Sequence, residues 1–258
     1  MEHPLRFTRR EVLKALLAGG PAAAAAGLPT GASAAQAPAT SAAATTAPAA
    51  GTPPAAASGP YVWRFFNAKE VRAVEAAIDR LIPTDALGPG AKDADVAVFL
   101  DQQLAGAWGS GDHFYKQGPF VAGKPQQGYQ LSFTPAQMFR AGLASLDQAA
   151  ASHGKGGFAD LDAAAQDQLL TRMQAGEIKT TPLPSAVFFA ALLDATMEGY
   201  FADPVYGGNR DMASWKLVGF PGAYASYMSD VERHGVAWTR PPISIADAAH
   251  GGHGGPMR

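Results

Sequence analysis

The chain has 258 residues, is 47% hydrophobic and 16% charged, and carries a formal net charge of −2. That length and apolar content suffice for a globular domain with its own core, and the balanced charge excludes the basic field a nucleic-acid binder needs to neutralise phosphates. The chain has no cysteine, which excludes disulfides, thiolate zinc sites, ordinary iron–sulfur clusters and covalent c-type haem, whose attachment requires C-x-x-C-H.

The N-terminus reads as an export signal. Thr8-Arg9-Arg10-Glu11-Val12-Leu13-Lys14 matches the twin-arginine pattern S/T-R-R-x-F-L-K, with Val12 in place of Phe. A mildly apolar run from Ala15 to Leu28 follows, softened by Gly19, Gly20 and Pro21. It is too short and too weakly apolar for a membrane span, which takes about 20 apolar residues. Ala32-Ser33-Ala34 offers a small-residue cleavage site, and Ala35-Gln36-Ala37 offers a second. Residues 1–34 are therefore expected to be a signal peptide, with Arg9 and Arg10 read by the twin-arginine translocase and the periplasm as destination. This route carries proteins already folded, which suits a chain that meets a cofactor or a partner before export. Residues 35–60 are almost wholly Ala, Pro, Thr, Gly and Ser. They cannot bury enough apolar area to offset their ordering entropy, so a disordered linker is expected there.

Residues 61–240 carry helical signals throughout. Asn67 and Glu70 form a capping-box pattern ahead of Val71, Val74, Ile78 and Leu81, and Pro83 ends that helix. Arg72, Glu75, Asp79 and Arg80 read as a solvated surface. A second helix is expected over Ala94–Trp108, burying Val96, Phe99, Leu100 and Leu104. The stretch Gly109–Ser132 is a long loop holding the pair Asp112 and His113, which lacks a second ligand at metal-binding spacing. Thr134-Pro135-Ala136-Gln137 opens a third helix with the stripe Met138, Phe139, Leu143 and Leu146. A fourth is expected over Phe158–Gly176, and the most apolar, Ser185 to about Phe201, is expected to be the central buried one. Asp194 and Glu198 lie one turn apart on it and project from one face, with Arg210 or Lys216 as expected pairing partners. A last helix is expected over Ala223–His234, and residues 241–258, including His250 and His253, as a disordered tail. No β-branched alternation marks a strand, so the fold class is all-α: one small domain of about five to six helices with long ordered loops.

Between the fifth helix and the last lies G-Y-F-A-D-P-V-Y-G-G-N-R-D-M-A-S-W-K-L-V-G-F-P-G, Gly199–Gly222. Five aromatics, Tyr200, Phe201, Tyr206, Trp215 and Phe220, supply apolar area that an unstructured connector does not need. Glycines permit backbone conformations and close approaches closed to other residues. We therefore read an ordered recognition surface. Pro204, Gly207, Gly208 and Gly222 are expected to shape it, and Tyr206, Arg210 and Trp215 to contact a partner.

Familiar catalytic patterns are missing. The sequence has no G-x-S-x-G, G-x-x-x-x-G-K-[ST] or H-E-x-x-H, and no dinucleotide fingerprint after a strand. Asp203, Asn209 and Asp211 suggest an oxygen-rich cation loop, but the spacing is not that of an EF-hand and Arg210 sits among them. No catalytic, cofactor-binding or metal residue is assigned.

Two segments, F-N-A-K-E-V-R-A-V-E-A-A-I-D-R-L-I-P at Phe66–Pro83 and the block ending at Gly222, together with the leader and the helical domain, resemble gluconate 2-dehydrogenase subunit 3. The resemblance covers most of residues 61–238. It implies the small subunit of a membrane-associated complex that oxidises sugars, sugar acids or polyols. In such complexes a glucose-methanol-choline-type flavoprotein with FAD performs the oxidation and a multihaem cytochrome c passes electrons onward. The small subunit then serves as non-catalytic assembly and export partner of a flavoprotein that has no leader of its own. The alternatives from the residues alone are a stand-alone exported helical enzyme using Asp194, Glu198 or His113, and a small-ligand-binding module.

Overall fold

The computed structural model describes residues 60–112, 114–121, 123–124, 130–152, 154, 156–180, 183–224, 227–230 and 232–249. The expected signal peptide with Arg9 and Arg10, the linker, His113, and the tail histidines lie outside them. The chain is all-α, with eight α-helices and no strand among the described residues. None of these helices is long and apolar enough to cross a membrane.

Helix α1, Ala68–Leu81, starts as its capping box dictates. The Asn67 side chain accepts from the amides of Lys69 and Glu70 at 3.0 Å each, and Glu70 accepts in return from the Asn67 amide at 2.9 Å. Its inner face buries Ala73, Val74, Ala77, Ile78 and Leu81. Arg80 departs from the expected solvated surface. Its guanidinium makes two parallel hydrogen bonds to Asp167, at 2.7 and 2.9 Å, and ties α1 to a later helix.

The expected helix over Ala94–Trp108 is two. Helix α2, Val96–Ala105, ends at Gly106, whose backbone is extended, and α3, Ala107–Ser110, is a single turn beyond it. The break lets the backbone of Gly109 lie against Leu104, where a Cβ would fall 1.9 Å from the Leu104 carbonyl oxygen. Asp101 on α2 is fully buried and accepts from the Tyr61 hydroxyl and from the amides of Arg64, Phe65 and Phe66. Burial, with the hydrogen bond to Asp101 next, pushes the Tyr61 phenol well above its ordinary value. One carboxylate thus fastens the entry segment of the domain.

Helix α4, Pro135–Ala151, keeps its capping box of Thr134 and Gln137. The expected helix over Phe158–Gly176 divides into a 3-10 turn, Phe158–Asp160, and α5, Ala163–Gln174. The extended Leu161 separates them, and Asp162 restarts the helix by accepting from the Ala165 amide at 2.8 Å. Helix α6, Ser185–Phe201, packs against α1, α2, α4 and α5 and is the centre of the bundle. Its Phe188 sits so close to Gly142 of α4 that an added Cβ there would lie 2.0 Å from the ring.

Beyond α6 come two 3-10 turns, Pro204–Tyr206 and Arg210–Met212, and α7, Ala213–Val218. The helix expected over Ala223–His234 is not formed; its described part contains the 3-10 turn Met228–Asp230. The Ala223 amide donates to the Ile243 carbonyl at 2.8 Å, so the chain leaves Gly222 extended instead of winding. Residues 241–249, expected within the tail, are structured: Ile243 pairs with Gly222, and α8 follows at Ile245–Ala249.

Candidate partner interface

The stretch Gly199–Gly222 is an ordered surface element held by its own side chains. Asn209 is fully buried at a left-handed φ of 48°. Its side-chain amide donates to the Ala202 carbonyl at 2.9 Å, and its oxygen accepts from the Ser214 amide and hydroxyl at 3.0 and 2.7 Å. Asp211 and Met212 also take left-handed φ values, 58° and 54°. Asn and Asp tolerate this region through local hydrogen bonds, whereas a residue such as Met212 costs roughly 1–2 kcal/mol there, so the network around Asn209 sustains a strained backbone. Strain of this kind, kept by surrounding structure, concentrates at functional surfaces.

Two of the residues expected to shape the loop lie in close backbone contacts. A Cβ on Gly208 would meet the Gly199 carbonyl oxygen at 2.2 Å. Gly222, at a φ of +83°, lies equally close to the Ile243 carbonyl oxygen, and Gly207 takes a φ of +99°. Pro204 opens its 3-10 turn behind Asp203, whose two carboxylate oxygens accept from the amides of Val205 and Ile245 at 3.0 and 2.8 Å. Asp203 therefore joins the loop to the C-terminal segment, a role its sequence neighbourhood did not reveal.

The three residues expected to contact a partner separate into two groups. Tyr206 is 49% exposed and stands outward. Arg210 is exposed but bound to Asp95 at 3.2 Å, while its backbone amide donates to Ala94. Burial raises the Asp95 carboxyl and the adjoining Arg210 guanidinium opposes that shift. Trp215 is buried, with its indole N–H donated to the Phe201 carbonyl at 2.8 Å, so it braces the loop from beneath. The outward aromatic is instead Phe220, packed edge-on against Trp215 with centroids 5.0 Å apart. With Leu217 and Val218, the last two residues of α7, it forms an exposed apolar edge, legible in the sequence only as the run L-V-G-F.

Chemistry at other candidate positions is spoken for or dispersed. The oxygens of Asp203 and Asn209 accept backbone and hydroxyl hydrogens and so serve the loop's own hydrogen bonding. Among the described residues no three His, Asp or Glu side chains converge as metal ligands. Asp112 accepts from the Ser110 hydroxyl at 2.6 Å. The long loop near it forms an open groove of about 430 Å³ lined by Phe114, Tyr115, Pro119, Phe120, Leu131 and Phe133 among others. The expected pairing of Asp194 and Glu198 with Arg210 or Lys216 is not made; Arg210 pairs with Asp95 instead. Protein crowding around both exposed carboxyls raises them, Glu198 also through Asp194.

No curated protein and no solved structure matched the chain. A family model does match, over residues 68–222, from the first residue of α1 to the glycine that closes the strained loop. That span takes in the second segment whose resemblance was noted in the sequence and the first from Ala68 onward, and the chain belongs to the family of gluconate 2-dehydrogenase subunit 3.

Proposed function

We propose that this chain is the non-catalytic small subunit of a periplasm-facing, membrane-associated flavin-dependent dehydrogenase complex, and that it carries the folded flavin subunit through twin-arginine export and stabilises it. Family membership supports an accessory subunit of a dehydrogenase complex. FAD belongs in this reading to a glucose-methanol-choline-type partner, and haem c to a multihaem cytochrome partner. The observation that carries the proposal is the loop: its left-handed residues and buried Asn209 network hold Tyr206, Leu217, Val218 and Phe220 outward. A strained backbone that exposes apolar side chains is unfavourable in isolation and becomes favourable once a partner covers them.

The export half rests on Arg9 and Arg10. Replacing both by Lys and measuring dehydrogenase activity in the periplasmic fraction tests it directly. We expect periplasmic activity to disappear and the flavin subunit to stay in the cytoplasm. Wild-type periplasmic activity in that variant would overturn the carrier role. For the loop, Phe220→Ala is the informative change. Apolar anchors at the centre of an interface cost about 2 kcal/mol or more on truncation, so the variant should retain the flavin subunit poorly while keeping its helical content.

A further inference from the structure

Helix α6 is apolar around most of its circumference, a pattern expected of a helix enclosed by other elements. Four helices enclose it on one side. On the other, Val187, Ala190, Ala191, Asp194, Glu198 and Phe201 fall within one face at helical spacing, and none of them is buried. Val187, Ala191 and Phe201 in this stripe are half-buried against the core, and Ala190, Asp194 and Glu198 are exposed. The stripe is joined to the loop from beneath: the Phe201 carbonyl accepts from the indole N–H of Trp215, and the exposed Phe220 packs on Trp215. Two carboxylates stand within it, Asp194 and Glu198, with no basic partner among the described residues. Unpaired charge crowded by apolar groups is unfavourable until an opposite charge arrives.

We propose that the open stripe of α6 and the Leu217–Phe220 edge form a single docking face, occupied by a folded protein surface that is apolar and seats an Arg or Lys between Asp194 and Glu198. The inference rests on the reading above, in which that surface belongs to the flavin subunit, and adds where it sits and which charge registers it. A second copy of the chain fits poorly. A two-fold contact centred on the stripe sets Asp194 and Glu198 against their own counterparts, and like charges across an interface are rejected.

The test uses the full chain, tagged and co-expressed with the flavin subunit, as wild type, as Asp194→Lys/Glu198→Lys and as Asp194→Asn/Glu198→Gln. Flavin absorbance retained per small subunit reports capture, and circular dichroism with a thermal melt reports folding. We expect charge reversal to weaken capture by roughly thirtyfold or more, as expected for disrupting a desolvated charge pair, with helicity unchanged. The neutral variant should bind more weakly than wild type and lose most of the salt dependence of capture. Wild-type capture by the folded reversal variant overturns the proposed face while leaving the accessory-subunit reading standing. Failure of the wild-type chain to retain any flavin subunit overturns that reading itself. Loss of self-association in the reversal variant, seen by light scattering on the chain alone, would assign the face to a second copy and also overturn the proposal.

Discussion

Asn209 is the residue on which the loop turns, and its removal has a calculable consequence. In Asn209→Ala the Ser214 amide and hydroxyl and the Ala202 carbonyl lose their partners in a buried setting. A buried polar group left unsatisfied costs about 1–3 kcal/mol. The left-handed backbone at φ 48° adds about 1–2 kcal/mol for a residue with a Cβ and a side chain that cannot bond locally. Relaxation makes such terms less than additive, so about 3–6 kcal/mol is a fair total. The five long helices do not depend on this network, so the loss should appear as opening of the loop and not of the bundle. Asn209→Gly separates the contributions, since glycine is at ease in the left-handed region but lacks the hydrogen bonds. Limited proteolysis between residues 202 and 222 and exchange of the Ser214 amide hydrogen are the assays. Opening should be most frequent in the Ala variant, intermediate in the Gly variant and rare in the native chain, with helicity constant. Native-like protection of the Ser214 amide in Asn209→Ala would show that the Asn209 network does not hold the loop closed.

Three further outcomes follow from the same structure. Asp101→Ala strands the amides of Arg64, Phe65 and Phe66 and should cost about 3 kcal/mol or more, lowering the calorimetric Tm by roughly 6–12 °C for a domain of this size. Gly142→Ala places a methyl group against the Phe188 ring and should cost about 1–3 kcal/mol through overpacking, read as a lower urea midpoint. For Asp194 and Glu198 the folded-state carboxyls lie above their ordinary values. The native state therefore holds more protons, and their contribution to stability is full below the ordinary carboxylate range and lost as pH rises through the raised values. Asp194→Asn/Glu198→Gln should accordingly stabilise the isolated chain near neutral pH and confer no advantage at about pH 3, below the unperturbed carboxylate pKa values; urea midpoints across that range check the sign.

Much of the fold was legible because its signals are local. Asn67 with Glu70 and Thr134 with Gln137 announce their helices within four residues, and both capping boxes form. The stripes of α1, α4 and α6 follow from helical periodicity in the same way. What could not be read depends on backbone contacts that the apolar pattern does not carry. Gly106 breaks a helix whose pattern continues through it, because Gly109 must pack on Leu104. Ala223 pairs with Ile243 instead of beginning a helix, a contact no local pattern encodes. At the loop, composition disclosed an ordered aromatic surface, and glycines with close approaches at Gly208 and Gly222 fit that reading. It could not tell inward from outward aromatics. Trp215 and Phe220 are equally apolar, yet the 3-10 turn and short α7 send one beneath the loop and leave the other on its edge.

In the proposed role, this chain holds a flavin-bearing catalytic subunit through the face built on Gly199–Gly222. The most direct measurement is affinity purification of the tagged full-length chain from cells that also produce its candidate flavoprotein, followed by the flavin spectrum and subunit ratio of the eluate. We expect a bound flavoprotein in fixed proportion, with dehydrogenase activity that disappears from the eluate of Phe220→Ala. A folded wild-type chain that elutes without flavin, or a Phe220→Ala chain that retains the full complement, would contradict it.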